Sequence, residues 1–431
     1  MPQLSWLLAA VLLAGATLRP AAACTSFVVD CSDGAVVSAR TMDFPGDIIG
    51  PSVVYYVPAG TNLTGIPLTQ GGAPQELGPT EFLFVAAGFP LPGRLPMAWD
   101  GMNSEGLGLG VLWQTNVSFH APYDPNGPSM ALPLTDGTNY LLGNFASVAE
   151  VKEWMQSGVQ LTTNLKGDLI VDQLVLYILG TDPDVPKPDP DGTQYMSVHV
   201  HITDKTGAGL LIEGTPNGSY ALYDTQVLSN EPAWPLMTEW RDQWMAYNFS
   251  QAPGISWFPY PATGVPAVVP FNSAYDERPT GYFGSMSRYL RTWLAVQNCS
   301  AYPWPSDGVW SPGAANASVE PPPAEFKALK RAENWLGAVV VPRSQLVSNG
   351  GEFYEIYATQ LSILRSYTDG VYYYKTPADN QWSSIDLGQL AQRAQQASGG
   401  APQVLRFPLG KESSPFSIDR TLEGEPYKGV A

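Results

Sequence analysis

Cys24-Thr25-Ser26-Phe27-Val28-Val29-Asp30 is the stretch whose reading decides the rest of this 431-residue chain. It follows Ala21-Ala22-Ala23, an Ala-x-Ala cleavage pattern, and the apolar run WLLAAVLLAGATL from Trp6 to Leu18. That run has the length of a signal-peptide core and is too short to span a bilayer stably. Residues 1–23 therefore read as a signal peptide removed before Cys24, although no Lys or Arg precedes Trp6 and only the initiator amine supplies the basic end. Cleavage there puts a thiol and a free α-amine on one residue. An α-amine with a pKa near ~7.7 can be neutral at working pH, so this nucleophile carries its own base. The rival reading, a lipid-modified cysteine after a bacterial signal, wants a larger aliphatic residue where Ala21 stands.

Working outward, Cys24 to Asp30 and Ala35 to Arg40 are rich in β-branched residues and flank Ser32-Asp33-Gly34, which predicts an antiparallel hairpin that returns Arg40 and Asp43 to Cys24. Met97 to Trp99 and Gly106 to Trp113 predict a second hairpin. Its run Gly106-Leu107-Gly108-Leu109-Gly110 lacks the glycine spacing of a phosphate loop and reads as a small-residue strand packed against a neighbour. Leu141, Leu142, Phe145, Val148, Val151 and Trp154 recur at helical spacing, and Ser147-Val148-Ala149-Glu150 is a capping box, so two helices run end to end. Consecutive strands are expected at Met196 to Ile202, Gly209 to Ile212, Tyr220 to Tyr223 and Val227-Leu228, then a helix from Ser287 to Gln297. Pro303, Pro305, Pro312 and Pro321-Pro322-Pro323, mixed with Trp304 and Trp310, make 302–323 an insertion that loops or straps over the surface. A helix resumes from Ala324 to Trp335, and strands return at Gln360 to Arg365 and Val371 to Lys375. Runs of strands separated by blocks of helix imply an α+β fold of stacked antiparallel sheets, in one domain over 24–431.

Composition narrows the function. With 39 acidic against 22 basic residues the formal charge is -17, which repels phosphate backbones and anionic membranes, so neither nucleic acid nor a membrane surface is an expected partner. Beyond the leader no apolar stretch approaches the ~20 residues of a membrane helix. The sequons at Asn62, Asn116, Asn217, Asn248, Asn298 and Asn316 exceed the about two that chance supplies and lean towards a eukaryotic secretory route, while a periplasmic protein also fits. With Cys24 reserved for chemistry, Cys31 and Cys299 remain as a disulfide or as two buried thiols.

Familiar catalytic arrangements are missing. The three histidines, His120, His199 and His201, form no His-Glu-x-x-His, and neither Gly-x-Ser-x-Gly nor Cys-x-x-Cys occurs. His199 and His201 share one strand face without an evident third ligand, so they read as sheet histidines; no metal and no cofactor is expected.

What remains is an ordered set of motifs: Cys24-Thr25 followed by Ala39-Arg40-Thr41-Met42-Asp43, then Asp100-Gly101-Met102-Asn103-Ser104-Glu105-Gly106-Leu107, then Val227-Leu228-Ser229-Asn230-Glu231-Pro232, then Ser287-Arg288-Tyr289. This set resembles the choloylglycine hydrolase family, the bile salt hydrolases and penicillin V acylases, within the N-terminal nucleophile superfamily, and it spans Cys24 to about Lys375. Trp113, where bile salt hydrolases carry asparagine, is similar to the branch of penicillin V and acyl-homoserine-lactone acylases of Gram-negative bacteria.

The resemblance implies a four-layer αββα sandwich and hydrolysis of small acyl amides. It also implies roles. Cys24 attacks the amide carbon and its α-amine relays the proton; Arg40 favours the thiolate, and Asp43 holds the α-amine. The Asn230 amide and a backbone N–H near Trp113 serve the oxyanion, and Arg288 supports Cys24 and Asp43. Residues after Asp43, around Asn116 to Tyr123 and near Tyr260 to Ala267 carry aromatics and prolines suited to an apolar or aryl acyl chain. An acid-ceramidase-like N-acylethanolamine amidase shares the Cys-Thr-Ser opening. A secreted binding glycoprotein that has lost turnover is the reading from another class. The sequence is compatible with a homo-oligomer, though the 302–323 insertion departs from the family pattern where subunits would meet.

Overall fold

The structure is a computed structural model. Apart from short internal gaps it describes residues 24–44, 52–114, 130–162, 198–246, 285–299, 324–341 and 358–407, with strand pairs or single strands inside 272–279, 346–355 and 417–426. The insertion at 302–323, the sequons at Asn116, Asn217, Asn248 and Asn316, and the loops near Asn116 to Tyr123 and Tyr260 to Ala267 lie outside the described residues.

Two large sheets organise the chain. Their strands are, in chain order, β1 Thr25–Asp30, β2 Val36–Phe44, β3 Val53–Val57, β4 Phe84–Phe89, β5 Met97–Asn103, β6 Leu107–Trp113, β7 Val198–Asp204, β8 Gly209–Gly214, β9 Tyr220–Asp224, β10 Val227–Ser229, β11 Ala358–Ser366, β12 Val371–Lys375, β13 Trp382–Asp386, β14 Leu405–Phe407, β15 Ser417–Asp419 and β16 Glu425–Pro426. One sheet runs β10-β1-β2-β11-β12-β13-β15 and the other β9-β8-β7-β6-β5-β4-β3-β14-β16. Pairing is antiparallel except between β13 and β15. Both predicted hairpins form, with Thr25 opposite Thr41 and Gly101 opposite Leu109.

The helices are α1 Leu134–Asn144, α2 Val148–Gln156, α3 Trp234–Ala246, α4 Ser285–Gln297, α5 Ala324–Gly337 and α6 Leu387–Gln396. α4 and α5 cover the first sheet over β1, β2, β10 and β11; α1 and α2 cover the second over β5 to β8. The result is the expected αββα sandwich. The α1/α2 junction is capped as the sequence implies: Ser147 Oγ accepts from Glu150 N at 3.2 Å, while Glu150 Oε2 reaches back to accept from Ala146 N at 2.7 Å.

Because the central strands are covered on both faces, they read as continuous apolar runs; Thr25 to Val29 are all buried. The space between the sheets is nevertheless partly polar, and the glycines of β6 explain how. A Cβ on Gly108 would stand 2.0 Å from Tyr367 Oη, and one on Gly110 would stand 3.0 Å from Arg40 Cδ. These glycines give up side chains so that large polar groups of the first sheet can lie flat against the second.

Candidate active site

Alternation along β2 sends neighbouring residues to opposite faces. Arg40 points between the sheets and Asp43 points out towards α4, with Cys24 at the head of β1 beside both. Arg40 Nη2 lies 3.9 Å from Cys24 Sγ, and the thiol faces the Asp43 carbonyl oxygen at 3.9 Å. Cys24 is the unpaired thiol of the chain, because Cys31 and Cys299 form a disulfide with their Cα atoms 5.3 Å apart. That bond ties the end of β1 to the end of α4.

Arg40 is fully buried and donates to the backbone carbonyls of Trp99 and Val111 and, at 3.3 Å, to Asp100 Oδ2. Asp100 is shared. Arg365 on β11 donates through Nε to Oδ1 at 3.1 Å and through Nη2 to Oδ2, and Tyr372 Oη donates to Oδ1 at 3.1 Å. Two guanidiniums on one carboxyl leave an excess of positive charge between the sheets, within reach of the Cys24 sulfur. Arg365 and Tyr372 are site-supporting residues that sequence reading missed; the available signal was an arginine directly after the run Leu361 to Leu364, within the expected strand.

On the outer face, Asp43 Oδ1 accepts from Thr359 Oγ1 at 2.5 Å, and Oδ2 accepts from Thr41 Oγ1 at 3.1 Å and from Arg288 Nη1. A register shift between Thr359 and Leu361 in β11 sets Thr359 opposite Asp43. Arg288 reaches it because Arg288, Thr292 and Val296 form a buried stripe at four-residue spacing along α4. Burial pushes the Asp43 carboxyl up from 3.8 to about 6, against the pull of Arg288, Thr359, Thr41 and Arg40. Burial likewise lowers the Arg288 guanidinium, opposed by Asp43 and Cys24. The pair is held where neither charge is comfortable, so its protonation is sensitive to small changes.

Asn230, at the end of β10, is buried and its Oδ1 accepts from Cys24 N at 2.9 Å. The sequence reading gave the Cys24 nitrogen to Asp43. In the full-length chain that nitrogen still belongs to a peptide bond, and Asn230 holds it, while Asp43 is engaged by Thr41, Thr359 and Arg288. Trp113 closes β6 and is half-buried, opposite Val198. In the full-length chain Cys24 is fully buried. A cleft of about 400 Å³ lies elsewhere, lined among others by Gly207, Thr225, Trp234, Arg241 and Trp293.

The two histidines are indeed sheet residues of β7. His201 Nε2 donates to the Thr225 carbonyl at 3.0 Å, which leaves Nδ1 to accept from Ser26 Oγ at 2.9 Å. Burial drops its pKa to about 3, so the ring is neutral. Asn103 explains the motif in which it stands: its Oδ1 accepts from Glu105 N and Leu107 N, and its Nδ2 donates to the Leu142 and Phe145 carbonyls, locking the β5/β6 turn to the end of α1.

The sequence profile of linear amide C-N hydrolases, choloylglycine hydrolase family, matches residues 24–291. Among solved structures, a conjugated bile acid hydrolase from Clostridium perfringens superposes with a TM-score of 0.60 at 18% identity, covering 90% of this chain and 98% of its own. A penicillin V acylase from Agrobacterium tumefaciens gives 0.62 at 16% identity, covering 94% of this chain and 98% of its own. No curated protein sequence matches.

Proposed function

The chain belongs to the choloylglycine hydrolase family of linear amide C-N hydrolases, and from that premise we propose that it is an exported cysteine amidohydrolase whose nucleophile is Cys24, freed by removal of residues 1–23. The observation that carries this reading is the convergence of Arg40, Asp43, Asn230 and Arg288, from four separated segments, on the one unpaired thiol.

In the proposed reaction the Cys24 sulfur attacks the carbonyl carbon of an acyl amide. The α-amine accepts the thiol proton and delivers it to the departing nitrogen. Arg40, held by two carbonyls and Asp100, keeps positive charge at the sulfur without moving as charge develops. The donor end of the Asn230 amide, with a backbone N–H near Trp113, stabilises the oxyanion, where losing one donor typically costs ~3 kcal/mol of barrier. Asp43 and Arg288 fix the end of β2, beside Cys24, against α4. Water then attacks the thioester, the amine again managing the proton, and releases the acid.

The Cys31–Cys299 disulfide supports an oxidising compartment. Of the sequons among the described residues, Asn62 is exposed, whereas the Asn298 amide donates to the Leu294 carbonyl at 2.8 Å, so Asn62 is the better glycan acceptor. The substrate class is small acyl amides of the penicillin V, bile salt or N-acyl homoserine lactone type. N-terminal sequencing of active protein tests the mechanism: Cys24 is expected first, and full activity with residues 1–23 attached would overturn it, because a peptide nitrogen cannot serve as the base.

A further inference from the structure

One polar cluster facing the nucleophile has no part in the reaction proposed above. Asp30 packs against Gly207 at one end of β1, and Ser26 meets His201 across the sheets. Continuing two residues along each strand in the same direction reaches Cys24 on β1 and His199 on β7. Alternation keeps both side chains on the facing surfaces of the two sheets. His199 pairs in register with Leu112 on β6 and with Glu213 on β8, so these three share that surface.

Glu213 is the acceptor of the cluster. Its Oε1 accepts from Gln114 Nε2 at 2.8 Å and from Trp234 N at 2.9 Å, and His199 Nδ1 lies 3.6 Å from the same oxygen. His199 itself is fully buried, yet neither of its ring nitrogens makes a hydrogen bond, and Gln114 Oε1 makes none either. Buried polar atoms are nearly always satisfied. An imidazole that turns its Nδ1 proton to Glu213 presents an Nε2 lone pair, which needs a donor.

We propose that His199 is a specificity residue that accepts a hydrogen bond from a hydroxyl on the acyl chain of the amide substrate; this rests on the amide-hydrolase reading above. Leu112, in register beside His199, is apolar and suits an acyl chain, and a hydroxyl is the donor such a chain can carry. Glu213 orients the ring. Through Trp234 N it also anchors the start of α3, four residues after Asn230, so the same carboxyl sets the subsite and steadies the proposed oxyanion donor.

The test uses processed protein beginning at Cys24 and three 4-nitroanilides with a common amine: octanoyl, 2-hydroxyoctanoyl and 3-hydroxyoctanoyl. The wild type is expected to favour one hydroxylated chain by about tenfold in kcat/KM over octanoyl, the scale of one hydrogen bond made in place of an orphaned group. His199→Phe should bring that ratio to about one while octanoyl hydrolysis continues, and His199→Gln should restore part of it. Calorimetry on Cys24→Ala protein with octanoate and the matching hydroxyoctanoate gives a readout independent of turnover and should show the same preference. A wild-type ratio of one or less, or a ratio unchanged in His199→Phe, overturns the proposal while leaving the nucleophile assignment intact. Failure of the wild type to cleave any of the three, with no preference in calorimetry, overturns it too.

Discussion

Thr359→Val isolates the protonation of Asp43 from the rest of the site. The hydroxyl donates to Asp43 Oδ1 at 2.5 Å inside a fully buried cluster, and valine keeps its shape without the proton. A hydrogen bond to a charged group contributes about 1.5–3 kcal/mol, and one pH unit corresponds to about 1.4 kcal/mol. Removing it favours the neutral carboxyl, so the Asp43 pKa should rise from about 6 by about one to two units. If the Asp43–Arg288 ion pair is needed for turnover, kcat/KM of the wild type falls as pH drops through about 6, and in Thr359→Val the acid limb moves up by that amount. Thr359→Ser retains the hydroxyl and is the control. Because Thr359 Oγ1 also accepts from Val341 N at 2.8 Å, thermal unfolding of both variants must accompany the pH profiles. A folded Thr359→Val protein with an unmoved acid limb, or a serine variant shifted as far, refutes the reasoning. Stability runs the other way from activity. Folding raises the Asp43 pKa above 3.8, so this group's contribution is complete below that value and is lost as pH rises through about 6.

Cys24→Ser should abolish amide hydrolysis with little change in thermal midpoint, whereas Cys31→Ser should keep turnover and lose about 2–5 kcal/mol of stability with the disulfide; the reverse pattern identifies the wrong cysteine. Asp100→Asn leaves Arg40 and Arg365 without their shared charge, and should destabilise by about 3–5 kcal/mol in denaturant unfolding. An unchanged midpoint would show that the two guanidiniums do not depend on it. Gly108→Ala places a methyl 2.0 Å from Tyr367 Oη and should lower the thermal midpoint, while Gly60→Ala, at a site with open space but positive φ, carries only local backbone strain. Equal effects from the two would count against close packing between the sheets.

Local signals were legible and distant ones were not. The β1/β2 hairpin, the α1/α2 capping box and α4 each announce themselves within one short stretch of chain, through β-branched runs, a Ser-x-x-Glu and helical spacing. β3 and β4 passed unread because Val53–Val57 and Phe84–Phe89 are short apolar runs without flanking turn pairs that specify a partner. α3 begins Trp-Pro and carries Trp234, Trp240 and Trp244, a pattern with no clean apolar stripe. The five residues singled out for chemistry do meet at one place. What the sequence could not tell is which group holds which: Asn230 on the Cys24 nitrogen, Asp43 on Thr359, and Arg365 sharing Asp100 with Arg40 across 265 positions.

β11 is the middle strand of its seven-stranded sheet, between β2 and β12, and it enters the sequence at residue 358. A ribosome that has reached residue 291 has therefore already made Cys24, Arg40, Asp43, Asn230 and Arg288, yet the strand that must lie against β2, bringing Thr359 and Arg365, does not exist. The nascent chain holds every proposed catalytic group and no centre to its first sheet. The proposed nucleophile's surroundings stay incomplete until the last quarter of synthesis, a delay that would suit the export proposed above, in which a chain crosses a membrane before it folds.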